Sequence, residues 1–300
     1  MRAFSVCNVD HPNLEVLEHT ARQHGYDLEV IGRDYGKDGT PWYNSAKLQI
    51  LKERLSRGDF PDPNEVIVFV DAFDSCFANS ANALLENFLS LDCDILYSAS
   101  RFCFPSKSYP VCMSYPDEDR RTDRPYLNGG MAVGRVWAWR KFLEQYDPTP
   151  FSRSEQALLH PMYVDPDRPV RMKLDHGAVC LLNVNHSKSG IHVLALDKDG
   201  RAYCRDTQTY PGIVSSPGIH RMSRFHTFHN YLREAHPELD TDRIKKKSLK
   251  FTRRQKLPIH DVWNSAWWTG QGMGSMLFAL AVLLLSLAGF LVLWARKGAV

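Results

Sequence analysis

Residues 66–70 read VIVFV and run without interruption into Asp71, with a second aspartate at Asp74. A strand that is apolar on both faces must be covered on both, which is the position of a central parallel strand under helices. Its neighbours along the chain meet that demand. Strands are predicted over 2–9, 27–32 and 93–99, and helices over 13–25, 44–58 and 79–91. Asn13 is the candidate cap of the first helix and Gly25 its stop. In the second, Ala46, Leu48, Ile50, Leu51 and Leu55 fall largely on one face. Repeated alternation of this kind indicates an α/β layered fold with a mostly parallel sheet. Ligands of such folds bind outside the carboxyl ends of the strands, and Asp71 stands at one.

After residue 100 the pattern loosens into a charged, proline-containing stretch. It recovers with YLNGGMAVG (126–134), a helix over 136–146, EQALLHPMYVD (155–165), a strand over 170–175 and AVCLLNV (178–184). A net charge of +3 is too mild to argue for a nucleic-acid partner. The seven cysteines are scattered without CxxC spacing, which favours free buried thiols over a disulfide framework. No apolar run at the amino terminus has the length of a signal peptide.

The far end differs. Met276 to Ala295 are twenty residues without a charge, enough to cross about 30 Å of hydrocarbon as a helix. Trp263, Trp267 and Trp268 precede this run, and Trp294, Arg296 and Lys297 close it, in the manner of interfacial anchors. A transmembrane helix is expected over 275–295, with a short tail over 296–300. Ahead of it lies a linker over 243–274, basic and then aromatic. Eight of its first fourteen residues are Lys or Arg and none is acidic, which suits anionic head groups at about 1 kcal/mol per near-surface charge. The same basic excess favours a cytosolic amino-terminal domain, spanning 1–242. The Asn185-His186-Ser187 sequon matters only if that domain is lumenal.

Two carboxylates spaced Asp-x-x-Asp at a strand end suit a hard divalent cation with oxygen ligands, substrate phosphates filling part of its shell. Turn acids facing water share that spacing. Asn128, Gly129 and Gly130 permit either close approach of a ligand or a tight strand bend. Asp175 and His176 end another alternating strand. His220, His226 and His229 lie close together, but no second cluster has zinc-like spacing.

In order, FVDAFDSCF, DILYSASRFCFP, YLNGGMAVG, EQALLHPMYVDPDRPVRMKLDHGAVCLLNVN and HRMSRFHTFHNYL resemble the glycosyltransferase domain of the procollagen lysyl hydroxylases, over roughly residues 3–239. The resemblance implies a GT-A, Rossmann-like nucleotide-sugar fold that uses Mn²⁺ and a UDP-sugar. It implies Asp71, Asp74 and His220 as metal ligands. Asn128, Gly129 and Gly130 would line the donor and acceptor region, and Lys47 would reach the diphosphate. Asp175 and Gln156 join Asn128 as donor or acceptor contacts. The implied reaction transfers a hexose from UDP-glucose or UDP-galactose to a hydroxyl of a hydroxylysine-like, protein or glycan acceptor, the cation offsetting charge on the UDP leaving group.

The chain departs from the family pattern at several points. Ser100 stands where a glutamate is expected and Phe104 where a tryptophan is. The aspartate run before Gln156 reads Ser152, Arg153, Ser154, Glu155, and a glycine turn has become His220, Arg221, Met222, Ser223. Collagen hydroxylysine is therefore a poor acceptor candidate. A non-catalytic, membrane-tethered binding module is the competing expectation, and a metal-dependent phosphoesterase a third. No separate hydroxylase domain is expected within this length.

Overall fold

The computed structural model describes residues 1–105, 108–147, 154–184, 193–217 and 222–254. The central sheet has six strands in the order β2 (Asp27–Ile31), β1 (Arg2–Val6), β3 (Val66–Val70), β6 (Tyr126–Arg135), β5 (Ile95–Ser100) and β7 (Met172–Asp175). All five β3 residues are buried, as the apolar run requires. Each fully buried Val, Ile or Phe is worth roughly 1.5–3 kcal/mol relative to exposure.

The sheet is mixed. β1–β2, β1–β3 and β5–β7 pair in parallel, whereas β6 runs antiparallel to both its neighbours. The sheet is thus mostly parallel, as expected, with β6 as its antiparallel member. Burial of both faces sets the apolar pattern, and strand direction leaves no mark on it.

Helix α1 (Leu14–Gln23) and α3 (Ala81–Ser90) cover one face through Leu17, Ala21, Leu84 and Phe88. On the other lie α2 (Ala46–Leu55), α6 (Val136–Glu144) and α7 (Glu155–Val164), whose Leu48, Leu51, Trp139, Phe142 and Leu159 share one core. A smaller sheet, β4 (Ser75–Phe77), β11 (Ile213–Ser215) and β8 (Leu181–Asn183), packs with α8 (Met222–Ala235) and the start of α9 (Thr241–Arg254). Two short helices, α4 (Tyr109–Cys112) and α5 (Asp117–Arg120), fill the loop stretch after β5, and β9 (Leu194–Leu196) pairs with β10 (Ala202–Cys204).

Asn13 makes no side-chain cap bond to α1. Its Nδ2 instead donates to the Phe73 carbonyl at 2.7 Å, and its Oδ1 accepts the Ser248 hydroxyl at 2.5 Å. That second bond bears on the domain boundary. Thr241, Ile244 and Ser248 form a buried stripe at helical spacing, so α9 runs through the expected break at residue 242. The first compact unit is Met1–Leu249, and Lys250–Val300 form a second.

Cys103 and Cys112 form a disulfide, which corrects the expectation of free thiols throughout. Cys7, Cys76, Cys93, Cys180 and Cys204 are free and buried, as expected. The bonded pair are nine positions apart in a stretch without regular cysteine spacing, so chain folding rather than a motif brings them together. Closing a loop of that size stabilises by about 2–3 kcal/mol in the chain-entropy picture. The double variant Cys103→Ser, Cys112→Ser should lose that amount in denaturant titration, and an unchanged midpoint would show the bond to be dispensable. Among the described residues no helix is long and apolar enough to cross a membrane. The expected span over 275–295, the sequon and His220 lie outside them.

Candidate functional site

The site gathers at the carboxyl end of β3. Asp71 follows Val70 directly, and its N–H donates to the Gly130 carbonyl at 2.7 Å. That contact depends on an irregularity in β6. Tyr97 pairs with Ala132 and the next residue, Ser98, with Asn128, so Gly129–Met131 swing away from β5. Met131 still pairs with Val70, which delivers the two glycines to Asp71.

A Cβ at Gly130 would stand 2.8 Å from Asp71 Oδ2 and 3.1 Å from Asn128 Oδ1, and only glycine leaves that room. The colliding atom is a side-chain tip rather than backbone, so a substitution displaces the carboxylate more readily than the fold. Gly130→Ala should therefore weaken binding of a divalent cation with UDP about tenfold or more while changing stability by about 1 kcal/mol or less. Calorimetry beside thermal unfolding checks both, and intact affinity would show that the Asp71 position is unimportant.

Lys47, in the first turn of α2, is buried and touches two acids. Its Nζ lies 2.5 Å from Asp71 Oδ1 and 2.8 Å from Glu155 Oε1. Burial opposes charge on Lys47, but the two carboxylates outweigh it and hold the ammonium above its ordinary range. Burial pushes the Asp71 carboxyl above the usual carboxylate range, the Lys47 ammonium opposes this, and Glu155 adds to the rise. Base and acid both move upward because one ammonium faces two carboxylates. The lysine stays charged and one negative charge is left over.

Asp71 keeps a quarter of its side chain exposed, so the group is open to solvent there. No described residue bonds its Oδ2. Asp74 lies three residues on, at the far side of a turn fixed from outside. Asn13 holds the Phe73 carbonyl, the His11 ring packs 4.6 Å from that of Phe73, and Ser216 N–H donates to the Asp74 carbonyl at 2.7 Å.

Glu155 and Gln156 open α7, whose cap is Ser154 accepting the Ala157 N–H. Ser154 replaces an acid of the family pattern and serves the helix end. Gln156 Oε1 accepts Gly129 N–H at 3.2 Å and Asn128 Nδ2–H at 3.4 Å. Its Nε2, like Glu155 Oε2, is buried without a hydrogen-bond partner. Buried polar atoms are rarely left so. Behind them Ser98 Oγ donates to the Asn128 carbonyl, and Asn183 Nδ2 donates to Ser98 Oγ, both at 3.1 Å.

The structure thus brings together Lys47, Asp71, Asn128, Gly129, Gly130 and Gln156. Asp175 has a different setting: its carboxylate accepts the N–H groups of Val179, Cys180 and Leu181 at 2.7–2.9 Å. Those bonds engage both oxygens and make Asp175 the clamp of the β7–β8 connection. His176 is likewise engaged, with Asp119 and the Arg124 carbonyl. Ser100 is fully buried and exchanges bonds with Phe102, its hydroxyl donating to the carbonyl and accepting the N–H. Glu155 is the site residue that sequence reasoning passed over as a remnant acid. Its only signal was a charge just inside a helix start.

A family model described as PLOD GT domain matches residues 1–241. The chain belongs to this family, the glycosyltransferase domain of the procollagen lysyl hydroxylases. Procollagen-lysine,2-oxoglutarate 5-dioxygenase of Drosophila melanogaster is 24% identical to this PLOD GT domain over 216 residues, 69% of this chain and 29% of its own length. The human multifunctional procollagen lysine hydroxylase and glycosyltransferase LH3 is 25% identical over 209 residues, 68% and 27%. The chain therefore spans under a third of the curated relatives it matches. Among solved structures, galactosyltransferase LgtC in complex with donor and acceptor sugar analogs matches at 11% identity and a TM-score of 0.44, covering 80% of this chain and 96% of its own. Mouse xyloside xylosyltransferase 1 matches at 10% and 0.40, covering 72% and 97%.

Proposed function

We propose that the chain is a metal-dependent glycosyltransferase of GT-A type that moves a hexose from UDP-glucose or UDP-galactose to a hydroxyl acceptor. The observation that carries this is the surplus negative charge of the Lys47–Asp71–Glu155 group at a strand's carboxyl end, beside a glycine cradle. Family membership supplies the nucleotide-sugar reading. A hard divalent cation such as Mn²⁺ fits carboxylate donors and would be held by Asp71 and Asp74. His220 is the proposed third ligand. β11 delivers the chain to the Asp74 backbone at Ser216, four residues before it. When bound, the cation supplies Lewis-acid stabilisation of the diphosphate leaving group.

The chain's own groups do the rest. Lys47 fixes Asp71 Oδ1 and leaves Oδ2 free to face a ligand. Gly129 and Gly130 let the donor approach the backbone. Gln156 Nε2 and Glu155 Oε2 offer an unused donor and acceptor for sugar or acceptor hydroxyls.

The test is a donor-hydrolysis screen of the full chain in detergent with Mn²⁺ and a UDP-sugar panel. Release of free sugar supports the enzyme. Binding without turnover on any donor would put the binding-module reading ahead, which the serines at 100 and 154 favour. Membrane attachment through 275–295 remains part of the proposal, with Lys245, Lys246, Lys247 and Lys250 of α9 meeting anionic lipid. Residues 1–254 should co-sediment with anionic vesicles at low salt and be released at high salt. Retention unaffected by salt, or no binding, would remove the lipid contact.

A further inference from the structure

We propose a second divalent-metal site, for Zn²⁺, formed by His19, His236 and Glu238 on elements that take no part in the donor cleft. His19 lies on α1, and His236 and Glu238 lie in the connection between α8 and α9. His19 Nε2 is 2.6 Å from Glu238 Oε1, and His236 Nδ1 is 3.9 Å from the same oxygen. One ligand atom from each of the three residues lies within 4.8 Å of the other two. Tetrahedral zinc with bonds of about 2.0 Å spaces its ligand atoms about 3.3 Å apart, so side-chain shifts of about an ångström would close the site.

His236 is the independent witness. Its side chain is only 3% exposed, and neither ring nitrogen has a hydrogen-bond partner. An unpaired buried imidazole costs free energy, and histidines in cores normally escape that by bonding. Here the ring faces other potential ligands instead: its centroid is 6.0 Å from that of His19 and 6.0 Å from that of His24. The fourth position falls to water or to His24, the residue that caps the carboxyl end of α1 beside Gly25. Imidazole and carboxylate together suit zinc better than a hard ion such as Mg²⁺. Bridging residues 19 and 236–238 would fasten the α8–α9 connection to α1, a structural clasp on the first compact unit.

The probe is Zn²⁺ itself, competed against a chromophoric chelator on the metal-stripped full chain in detergent, with Co²⁺ absorption to report tetrahedral geometry. The Asp74→Ala background removes a ligand of the proposed donor site, so the two sites are read separately. That chain should still bind one Zn²⁺, show the tetrahedral Co²⁺ spectrum and unfold at a higher temperature with zinc. Adding His19→Ala or Glu238→Gln should abolish the spectrum and the thermal shift and weaken zinc binding at least about tenfold. Both side chains are partly exposed, so folding should survive. Zinc affinity unchanged by either substitution, or no zinc bound in the Asp74→Ala chain, would overturn the site.

Discussion

Lys47→Met should destabilise the domain by about 3–5 kcal/mol at neutral pH, the usual cost of stripping one partner from a buried ion pair. Lys47 and Glu155 are both almost fully buried, and the substitution leaves Glu155 and Asp71 facing each other with no cation between them. The deficit should depend on pH in a definite direction. Asp71 already has its folded-state carboxyl raised by burial, above an unfolded value of about 3.9. A raised group contributes stability that is fully present below the unfolded value and is lost as pH rises through the folded one. Removing the opposing ammonium raises Asp71 further, so the gap between variant and parent should widen toward neutral pH and shrink on acidification. Denaturant titrations at several pH values measure this. A loss under about 1 kcal/mol, or one that grows in acid, would mean that Lys47 does not hold the two buried acids together as described.

Asp74→Ala should abolish metal-dependent UDP binding, a drop of about a hundredfold or more, with the fold retained. The two outcomes separate because of how Asp74 is built in. Its backbone carbonyl accepts the Ser216 N–H, a bond that alanine keeps, and the side-chain bond from Ser75 Oγ at 3.5 Å is lost. The turn is also held through Phe73 by Asn13 and His11. Calorimetry with Mn²⁺ and UDP is the measurement, and unchanged affinity would sink the proposed metal site. Lys47→Met and Asp74→Ala therefore differ in kind. The first removes a buried cation from between two acids, and the second a carboxylate that accepts a long bond from the neighbouring Ser75 hydroxyl.

Much of this was legible in the residues. The apolar run into Asp71 placed a buried central strand and put the carboxylates at its ligand-binding end. The glycine pair at 129–130 marked a close approach, although its target, the Asp71 carboxylate, required the register of β6. What stayed hidden depended on distance in sequence. Glu155 gains its meaning only when α7 packs beside α2, and His236 only when its connection meets α1, more than two hundred residues away. The structural role of Asp175 was hidden as well: it ends a strand, and the turn after it supplies three amides to its carboxylate. The basic stretch looked like a linker because charge hid the sparse stripe of Thr241, Ile244 and Ser248.

The Cys103–Cys112 bond bears on where the proposed reaction could draw its donor. Protein disulfides form and persist in the secretory lumen and are rare in the cytosol, whereas the basic residues ahead of 275–295 favour a cytosolic domain. If the bond forms in cells, the carbohydrate donor cannot come from the pool in which nucleotide sugars are made. It would have to pass a membrane carrier first, and flux through the reaction would follow carrier supply as well as enzyme level. Asn185 would then be open to glycosylation, and an endoglycosidase-sensitive gel shift of the expressed full chain would report the topology directly.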